Sequence, residues 1–358
     1  MREDLKIVVM DNIKDLGKKV NYHLQQLNNT ETDYIVKVKA NRFSNGEGKV
    51  FLEESIRNKD LYILSDIGNY GITYKMHGID IPMSPDEHYQ DIKRVISATG
   101  GYADRLNIIM PLLYQSRQHR RKEGESLDCA LALQELEHLG INGIVTFDAH
   151  DPNVCNAIPN TPFDNFFPTH TILNALIDNE KENIKDLFVI APDKGAVTRA
   201  RYYADLLGCD IGMFEKRRDT SKVVNGKNPI IKHTYMGPAI KDKNVIIVDD
   251  MIASGQSILD VAKKLKENGA KKVFLIATFV LLTEGPDVFK EAYEKNYFDK
   301  LYSTNLSYVP KDITNEKWYS EVDCSYFLAK IIKNINERKS LRELNNGKEK
   351  ILSKVRQI

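Results

Sequence analysis

Short apolar runs rich in Val, Ile and Leu alternate along the chain with longer segments whose apolar residues recur at helical spacing. Runs of this kind, bounded by turn-forming residues, are typical of buried strands. Strands that alternate with amphipathic helices favour parallel sheets covered on both faces. The predicted strands are Leu5–Met10, Leu61–Leu64, Leu106–Met110, Gly143–Phe147, Leu187–Ala191, Val245–Val248 and Lys272–Thr278.

Two helices carry boundary or packing signals. Ser84-Pro85-Asp86-Glu87 has the sequence of a capping box with proline at the first helical position, so a helix is expected to begin there. A second helix is predicted after residue 255, because its apolar residues share one face: Ile258, Val261, Ala262 and Leu265.

The length predicts more than one domain. The chain has 358 residues, above the ~100–200 typical of one domain, and 42% of them are hydrophobic, enough for two buried cores. The stretch 160–168 contains two prolines and is the predicted crossover. We therefore predict an N-terminal domain over 1–163, a C-terminal domain over 164–325 and a helical tail over 326–358.

Charge and cysteine usage narrow the class of protein. The net charge is +1, so no global basic field attracts nucleic acid or a membrane, and neither is an expected partner. The four cysteines show no CxxC pair, which argues against a disulfide framework or zinc site and favours a reducing cytoplasm. We expect neither a signal peptide nor a membrane helix, since no apolar run approaches ~20 residues.

Acidic residues follow three predicted strands. The strand Gly143–Phe147 is followed by Asp148-Ala149-His150. The strand Leu187–Ala191 is followed by Pro192-Asp193, and the strand Val245–Val248 is followed by Asp249-Asp250. Ligands of open α/β sheets bind at the carboxyl ends of strands. A single acidic strand end is more readily explained as a turn or helix cap. Three of them, one with a histidine, favour a polar site for a metal or a sugar.

The third strand end is the most specific. Two carboxylates that can hold sugar hydroxyls precede a loop of small residues that opens a helix. Backbone N–H groups of such a loop, with the positive end of the helix, can bind a phosphate. The pattern resembles the ribose-phosphate loop of type I phosphoribosyltransferase folds. Its residues are Asp249, Asp250, Ala253, Ser254, Gly255, Gln256 and Ser257.

The order of several short motifs resembles one family, the ribose-phosphate pyrophosphokinases, also called phosphoribosyl diphosphate synthetases, over residues 5 to 305. The motifs are Asn41 to Glu47, Arg117-Gln118, Asp148-Ala149-His150, Pro192-Asp193, Lys216-Arg217-Arg218 and the Asp249 loop. The resemblance implies an α/β protein of two tandem type I phosphoribosyltransferase-like domains, each a mainly parallel sheet flanked by helices. It also implies transfer of the diphosphate of Mg-bound ATP to ribose 5-phosphate.

The resemblance further implies roles for individual residues. The adenine of ATP would be held by Phe43, Asn45 and Glu47, reached from a neighbouring subunit of a homo-oligomer that is dimer-based, up to a hexamer. Arg117, Gln118 and His150 would also bind ATP. Mg²⁺ would be held at His150 and Asp193, with Asp148 close by. Lys216 and Arg218 would be catalytic, and the Asp249 loop would bind ribose 5-phosphate.

The residues themselves fit phosphoryl transfer, which needs positioned cations more than covalent chemistry. Lys216 to Arg218 follow an apolar run, Ile211–Phe214, and precede a loop with Asn225-Gly226 and Pro229, which is typical of a lid. Imidazole is an unusual ligand for Mg²⁺, so His150 could also contact phosphate. Nothing matches GxxxxGK[ST], which excludes a P-loop kinase.

Several positions depart from the family pattern. Residues 66 to 84 resemble an insertion. The main catalytic positions are kept, which favours an active but divergent enzyme. Two alternatives stay open: a phosphoribosyltransferase that consumes phosphoribosyl diphosphate, and a non-catalytic regulatory subunit. The departing residues are His119, Lys194, Ala253, Gln256 and Phe279.

Overall fold

The computed structural model describes residues 4–218, 230–345 and 347–357. The chain forms two compact units, each assembled from more than one segment. The first unit comprises Met1–Pro168, Asn305–Pro310 and Asp323–Asn346, and the second comprises Thr169–Thr304, Lys311–Val322 and Gly347–Ile358.

The first unit is built on a six-stranded parallel sheet of order β10-β9-β8-β5-β1-β2. Two small antiparallel hairpins, β3-β4 and β6-β7, stand apart from this sheet. The strands are β1 Leu5–Val9, β2 Ile35–Val36, β3 Val38–Arg42, β4 Gly48–Leu52, β5 Asp60–Leu64, β6 Thr73–Met76, β7 Ile79–Pro82, β8 Arg105–Ile109, β9 Gly143–Phe147 and β10 Phe163–Phe166; the helices are α1 Lys14–Asn28, α2 Pro85–Ala98, α3 Asp128–His138 and α9 Ser325–Asn336.

The second unit is built on a seven-stranded sheet of order β13-β12-β11-β14-β15-β16-β17, parallel except for the β12-β13 pair. The strands are β11 Leu187–Ala191, β12 Ile211–Arg218, β13 Ile230–Met236, β14 Asn244–Ile252, β15 Lys272–Val280, β16 Lys300–Thr304 and β17 Tyr319–Val322; the helices are α4 Thr169–Asn179, α5 Val197–Leu207, α6 Gln256–Glu267, α7 Asp287–Glu294, α8 Lys311–Thr314 and α10 Lys348–Arg356. The α/β class and the helix-flanked, mainly parallel sheets are therefore as predicted.

All seven predicted strands form, but two run further than expected. β14 continues to Ile252 and β15 to Val280, where the prediction ended them at Val248 and Thr278. The cause is mutual pairing, because β14 finds a parallel partner in β15 as far as Ile252 opposite Val280. Asp249 and Asp250, which were expected to follow the strand, therefore lie on it.

Local signals set the helix boundaries as expected. At α2 the Ser84 Oγ accepts from the Glu87 N–H at 3.3 Å, while the Ser84 N–H donates to Glu87 Oε2 at 2.8 Å, which completes the predicted capping box. The predicted face of α6 is buried, with Leu259 added to it. Burial of that face against the sheet holds α6 after the acidic strand end.

A buried carboxylate attaches α9 to the sheet of the first unit. Asp60 is fully buried and accepts from Tyr62 Oη at 2.9 Å, Asn107 Nδ2 at 3.2 Å and Asn336 Nδ2 at 2.9 Å. Arg105 Nη1 lies 3.3 Å from the same carboxylate and compensates its charge. A buried charge with this many partners is costly to disrupt, so the late helix α9 is an integral part of the first unit.

Candidate active site

The acidic end of β14 lies at the centre of the second sheet, between β11 and β15. Asp249 pairs with Ala277 of β15. The Asp250 N–H donates to Asp249 Oδ1 at 3.0 Å, and Asp250 itself is only 5% exposed. Both carboxylates are thus positioned by strand geometry rather than by a flexible loop.

The electrostatics of this pair are unfavourable in the absence of a ligand. Burial raises the pKa of Asp249 to about 8, the charges of Asp250 and Asp193 add to the rise, and Arg199 of α5 opposes it. Carboxylates crowded in this way gain from hydroxyl donors or from a cation. The site therefore has the chemistry of a sugar-binding or metal-binding edge.

The loop after β14 turns at a glycine and leads directly into α6. Gly255 is buried with a φ of 87°, and a Cβ there would overlap the ring of Phe289, so only glycine fits. Among the described residues, no side chain caps the first turn of α6, which begins at Gln256. Its first N–H groups are therefore available for a phosphate. Gln256 instead donates to Asp260 at 2.7 Å, and Ser257 is exposed.

Asp193 is oriented by its own turn. Its Oδ1 accepts from the N–H groups of Gly195 at 2.9 Å and Ala196 at 3.2 Å, just before α5. The neighbouring Lys194 extends to Glu215 Oε1 at 2.7 Å. The Asp193 carboxylate is thereby held in place with its charge felt at Asp249.

The strand that carries Lys216 and Arg218 is longer than predicted. The apolar run was expected to end at Phe214, yet β12 continues through Arg218, because its backbone pairs with β13, Lys216 opposite His233. The expected lid segment with Asn225-Gly226 and Pro229 lies outside the described residues. These two basic residues thus lie at the end of a hairpin strand.

In the first unit, β9 ends in a sharply turned acidic segment. Asp148 is buried, has a φ of 44°, and its N–H donates to the Phe166 carbonyl at 2.8 Å. His150 is exposed, and its N–H donates to Ser116 Oγ at 2.9 Å. Ser116 precedes the exposed Arg117, so the loops of His150 and Arg117-Gln118 are joined directly.

The structure adds three residues to this group, His119, Arg120 and Asp151. The His119 ring meets the His150 ring edge-on, with centroids 5.3 Å apart. His119 Nε2 lies 3.5 Å and Arg120 Nη2 3.1 Å from Asp151 Oδ2. The pKa of Asp151 is lowered, mainly by the hydrogen bond from the Asn153 N–H and further by the hydrogen bond from Arg120. The sequence analysis named His119 only as a departure from the family pattern. It assigned no role to Arg120 or Asp151, and the one signal for Asp151 was its place beside His150.

Phe43, Asn45 and Glu47 share the tip of the β3-β4 hairpin. The Phe43 N–H donates to the Glu47 carbonyl at 2.8 Å, and the Glu47 N–H donates to Asn45 Oδ1 at 3.1 Å. Gly46 takes a φ of 90° to close the turn. All three predicted side chains are exposed, Phe43 by 50%.

Two negative findings apply to residues 4–218, 230–345 and 347–357. Within them no three His, Cys, Asp or Glu side chains gather into a preformed metal cluster. No helix in the same ranges has the length and apolar character needed to cross a bilayer.

Comparisons with known proteins cover most of the chain. Residues 5–140 match the family model described as the N-terminal domain of ribose phosphate pyrophosphokinase, and residues 169–310 match the phosphoribosyl transferase domain. The ribose-phosphate pyrophosphokinase of Mycoplasma genitalium is 30% identical over 271 residues, 75% of each chain. That of Bacillus cereus is 26% identical over 348 residues, 97% of this chain and 98% of its own.

A solved structure supports the fold across both units. The phosphoribosylpyrophosphate synthetase of Mycobacterium smegmatis superposes with a TM-score of 0.76 at 21% identity, covering 94% of this chain and 100% of its own. The likeness extends over nearly the full length of both chains.

Proposed function

This chain belongs to the ribose-phosphate pyrophosphokinase family, and on that premise we propose that it transfers the terminal diphosphate of ATP to ribose 5-phosphate. The anomeric hydroxyl oxygen attacks the β-phosphorus, the bond to the α-phosphate oxygen breaks, and the hydroxyl proton is released. The products are AMP and phosphoribosyl diphosphate. One observation carries the proposal: the loop after β14 shares its chain with a second α/β unit that presents Arg117, Gln118 and His150.

The second unit would bind ribose 5-phosphate. The 5-phosphate accepts hydrogen bonds from the backbone of Ala253 to Ser257, where the uncapped start of α6 supplies N–H groups and positive potential. Ribose hydroxyls donate to Asp249 and Asp250, which compensates the burial and the neighbouring Asp250 charge that raise the pKa of Asp249.

The first unit would bind ATP. Arg117 supplies charge for the phosphates, and Gln118 and His150 supply hydrogen bonds. The nucleotide turn, defined as Phe43–Glu47, offers an exposed aromatic face for adenine and the polar side chains of Asn45 and Glu47 for its ring edge. Lys216 and Arg218 would stabilise the charge on the transferring phosphate oxygens.

Mg²⁺ would be the metal. Asp193, with Asp148 and His150, would hold it together with the phosphates, and its charge would neutralise the phosphate oxygens. Asp193 suits this role, because two backbone N–H groups fix its carboxylate and Mg²⁺ prefers oxygen ligands. We further propose a homo-oligomer and a cytoplasmic location. In support of the location, Cys129, Cys155, Cys209 and Cys324, all among the described residues, form no disulfide.

The decisive experiment identifies the products. Purified protein with Mg²⁺, ATP and ribose 5-phosphate should release AMP and phosphoribosyl diphosphate in equal amounts, and no AMP should appear without ribose 5-phosphate. ADP or inorganic phosphate as the main product would contradict the proposal. Consumption of added phosphoribosyl diphosphate with a free base would instead indicate a phosphoribosyltransferase, and no turnover at all would indicate a regulatory subunit.

A further inference from the structure

The segment between β5 and α2 contains a two-stranded hairpin, β6-β7, that is not part of the main sheet of the first unit. Among the strands of the described residues, β6 and β7 pair only with each other, in the register Thr73 opposite Pro82. Their two-residue turn, His77-Gly78, has φ values of 49° and 80°, the left-handed pair that a tight hairpin requires. We name residues 73–82 the bracing hairpin, for its contacts.

The bracing hairpin packs against the nucleotide turn. The His77 N–H donates to the Ser44 carbonyl at 3.2 Å. Met76 Sδ lies 3.0 Å from the position a Cβ on Gly46 would take. Side chains along β6 alternate, with Tyr74 and Met76 partly buried and Thr73 and Lys75 exposed. One face of β6 is therefore committed to the nucleotide turn.

The same face is anchored to α2. Tyr74 Oη donates to Glu87 Oε1 at 2.6 Å, while Glu87 Oε2 completes the capping box with Ser84. Arg42, directly before the nucleotide turn, has its guanidinium 5.9 Å from the Tyr74 ring centroid and bonds Asp91 Oδ2 at 2.9 Å. The Arg42 and Asp91 side chains are only 8% and 9% exposed, so this pair is shielded from solvent.

We infer that the bracing hairpin holds the nucleotide turn in its binding conformation, with Tyr74 and Met76 as positioning residues for ATP. An exposed turn on a two-stranded hairpin would otherwise be ordered only when the nucleotide binds, and each residue fixed at that point loses conformational entropy. A turn ordered in advance avoids that cost and raises affinity. The inference rests on the proposed function, because it takes the nucleotide turn as the adenine contact.

The test compares a double variant, Tyr74→Ala with Met76→Ala, with the control Lys75→Ala, whose exposed side chain lies between them on β6. Hydrogen exchange of residues 41–48 should accelerate ~10-fold in the double variant and stay unchanged in the control. The KM for ATP should rise ~10-fold while the KM for ribose 5-phosphate stays within about twofold. A generally weakened fold would raise both Michaelis constants or neither.

A milder variant keeps the test decisive if the double variant does not fold. Tyr74→Phe keeps the ring but loses the bond to Glu87, and it should show the same changes at smaller size. Unchanged exchange in residues 41–48 would overturn the inference, whatever the enzyme does. Faster exchange with an unchanged KM for ATP would also overturn it. Failure of the wild-type protein to release AMP would instead reject the proposed function, while the exchange result would still decide whether the hairpin braces the turn.

Discussion

The backbone N–H of Tyr308 donates a 2.7 Å hydrogen bond to Oδ2 of Asp66, although 242 residues separate the two in sequence. Asp66 is 1% exposed, and its Oδ1 accepts from Ser307 Oγ at 3.0 Å and from the Gly68 N–H at 2.9 Å. Residues 305–310 are thereby attached to the first unit at the carboxyl end of β5.

This attachment predicts a pH dependence of stability. Burial raises the pKa of Asp66 from 3.8 to about 6, so the folded protein binds this proton more tightly than the unfolded chain. That stabilising contribution is full below about pH 4 and is lost as the pH rises through about 6. The stability of the wild type relative to Asp66→Asn should therefore fall across this range, by at most about 1.4 kcal/mol per pH unit. Urea unfolding at several pH values measures it, with the exposed Asp80→Asn as control; a difference independent of pH would contradict the assignment.

Gly255→Ala should destabilise the protein and weaken binding of ribose 5-phosphate. The substitution combines a left-handed φ, worth about 1–2 kcal/mol, with overlap on the buried Phe289 ring, worth about 1–3 kcal/mol. Gly101→Ala is the matched control, because Gly101 has a φ of 75° but open space around its Cβ position. Thermal unfolding of the two variants separates the clash from the backbone strain, and equal losses would show that Phe289 yields without cost.

Asp249→Asn should raise the stability of the protein while weakening its binding of ribose 5-phosphate. The amide removes one of the crowded charges next to Asp250, a gain of roughly 0.5–2 kcal/mol. The gain should be larger near about pH 9 than near about pH 6, since the wild-type carboxyl, with its pKa raised to about 8, is largely neutral in the folded protein at the lower pH. The KM for ribose 5-phosphate should rise ~10-fold through the lost acceptor. Thermal unfolding and kinetics check both effects; the exposed Asp242→Asn serves as control, and a destabilised Asp249→Asn would refute the crowding argument.

Lys216→Ala should reduce kcat by ~10³-fold or more with the fold intact, because cations that stabilise a transferring phosphoryl group are often worth that much. Steady-state kinetics and circular dichroism measure the two quantities. Lys194→Ala is a suitable control. Lys194 forms an ion pair with Glu215, which lies on β12 next to Lys216, yet Lys194 has no proposed role in the transfer. A near-normal rate for Lys216→Ala would show that its role is misassigned.

Active sites shared between subunits predict complementation. The double variant Phe43→Ala, Glu47→Ala and the separate Lys216→Ala should each be inactive. Mixed oligomers from co-expression should regain part of the activity, because some interfaces combine an intact nucleotide turn with an intact Lys216. Activity at the level of the two separate variants would place each site within one chain.

Local sequence patterns were sufficient for the features that depend on near neighbours. The capping box at Ser84 and Glu87, the buried face of α6 and the seven predicted strands all follow from spacing over a few residues. Strand ends at β12, β14 and β15 were placed too early, because a strand continues for as long as a partner pairs with it, and the partner is remote in sequence.

The sequence by itself determined the alternation of strands and helices and the acidic strand ends, since each arises from the spacing of residues over a short stretch of chain. Only the tertiary structure decided that Tyr74 meets Glu87, that His119 meets His150, and that Tyr308 closes on Asp66. Such contacts are set by the path of the folded backbone. The residues around a hydroxyl, an imidazole or a peptide N–H in the sequence are the same whether or not a distant partner contacts it. The spacing of residues therefore could not predict these contacts.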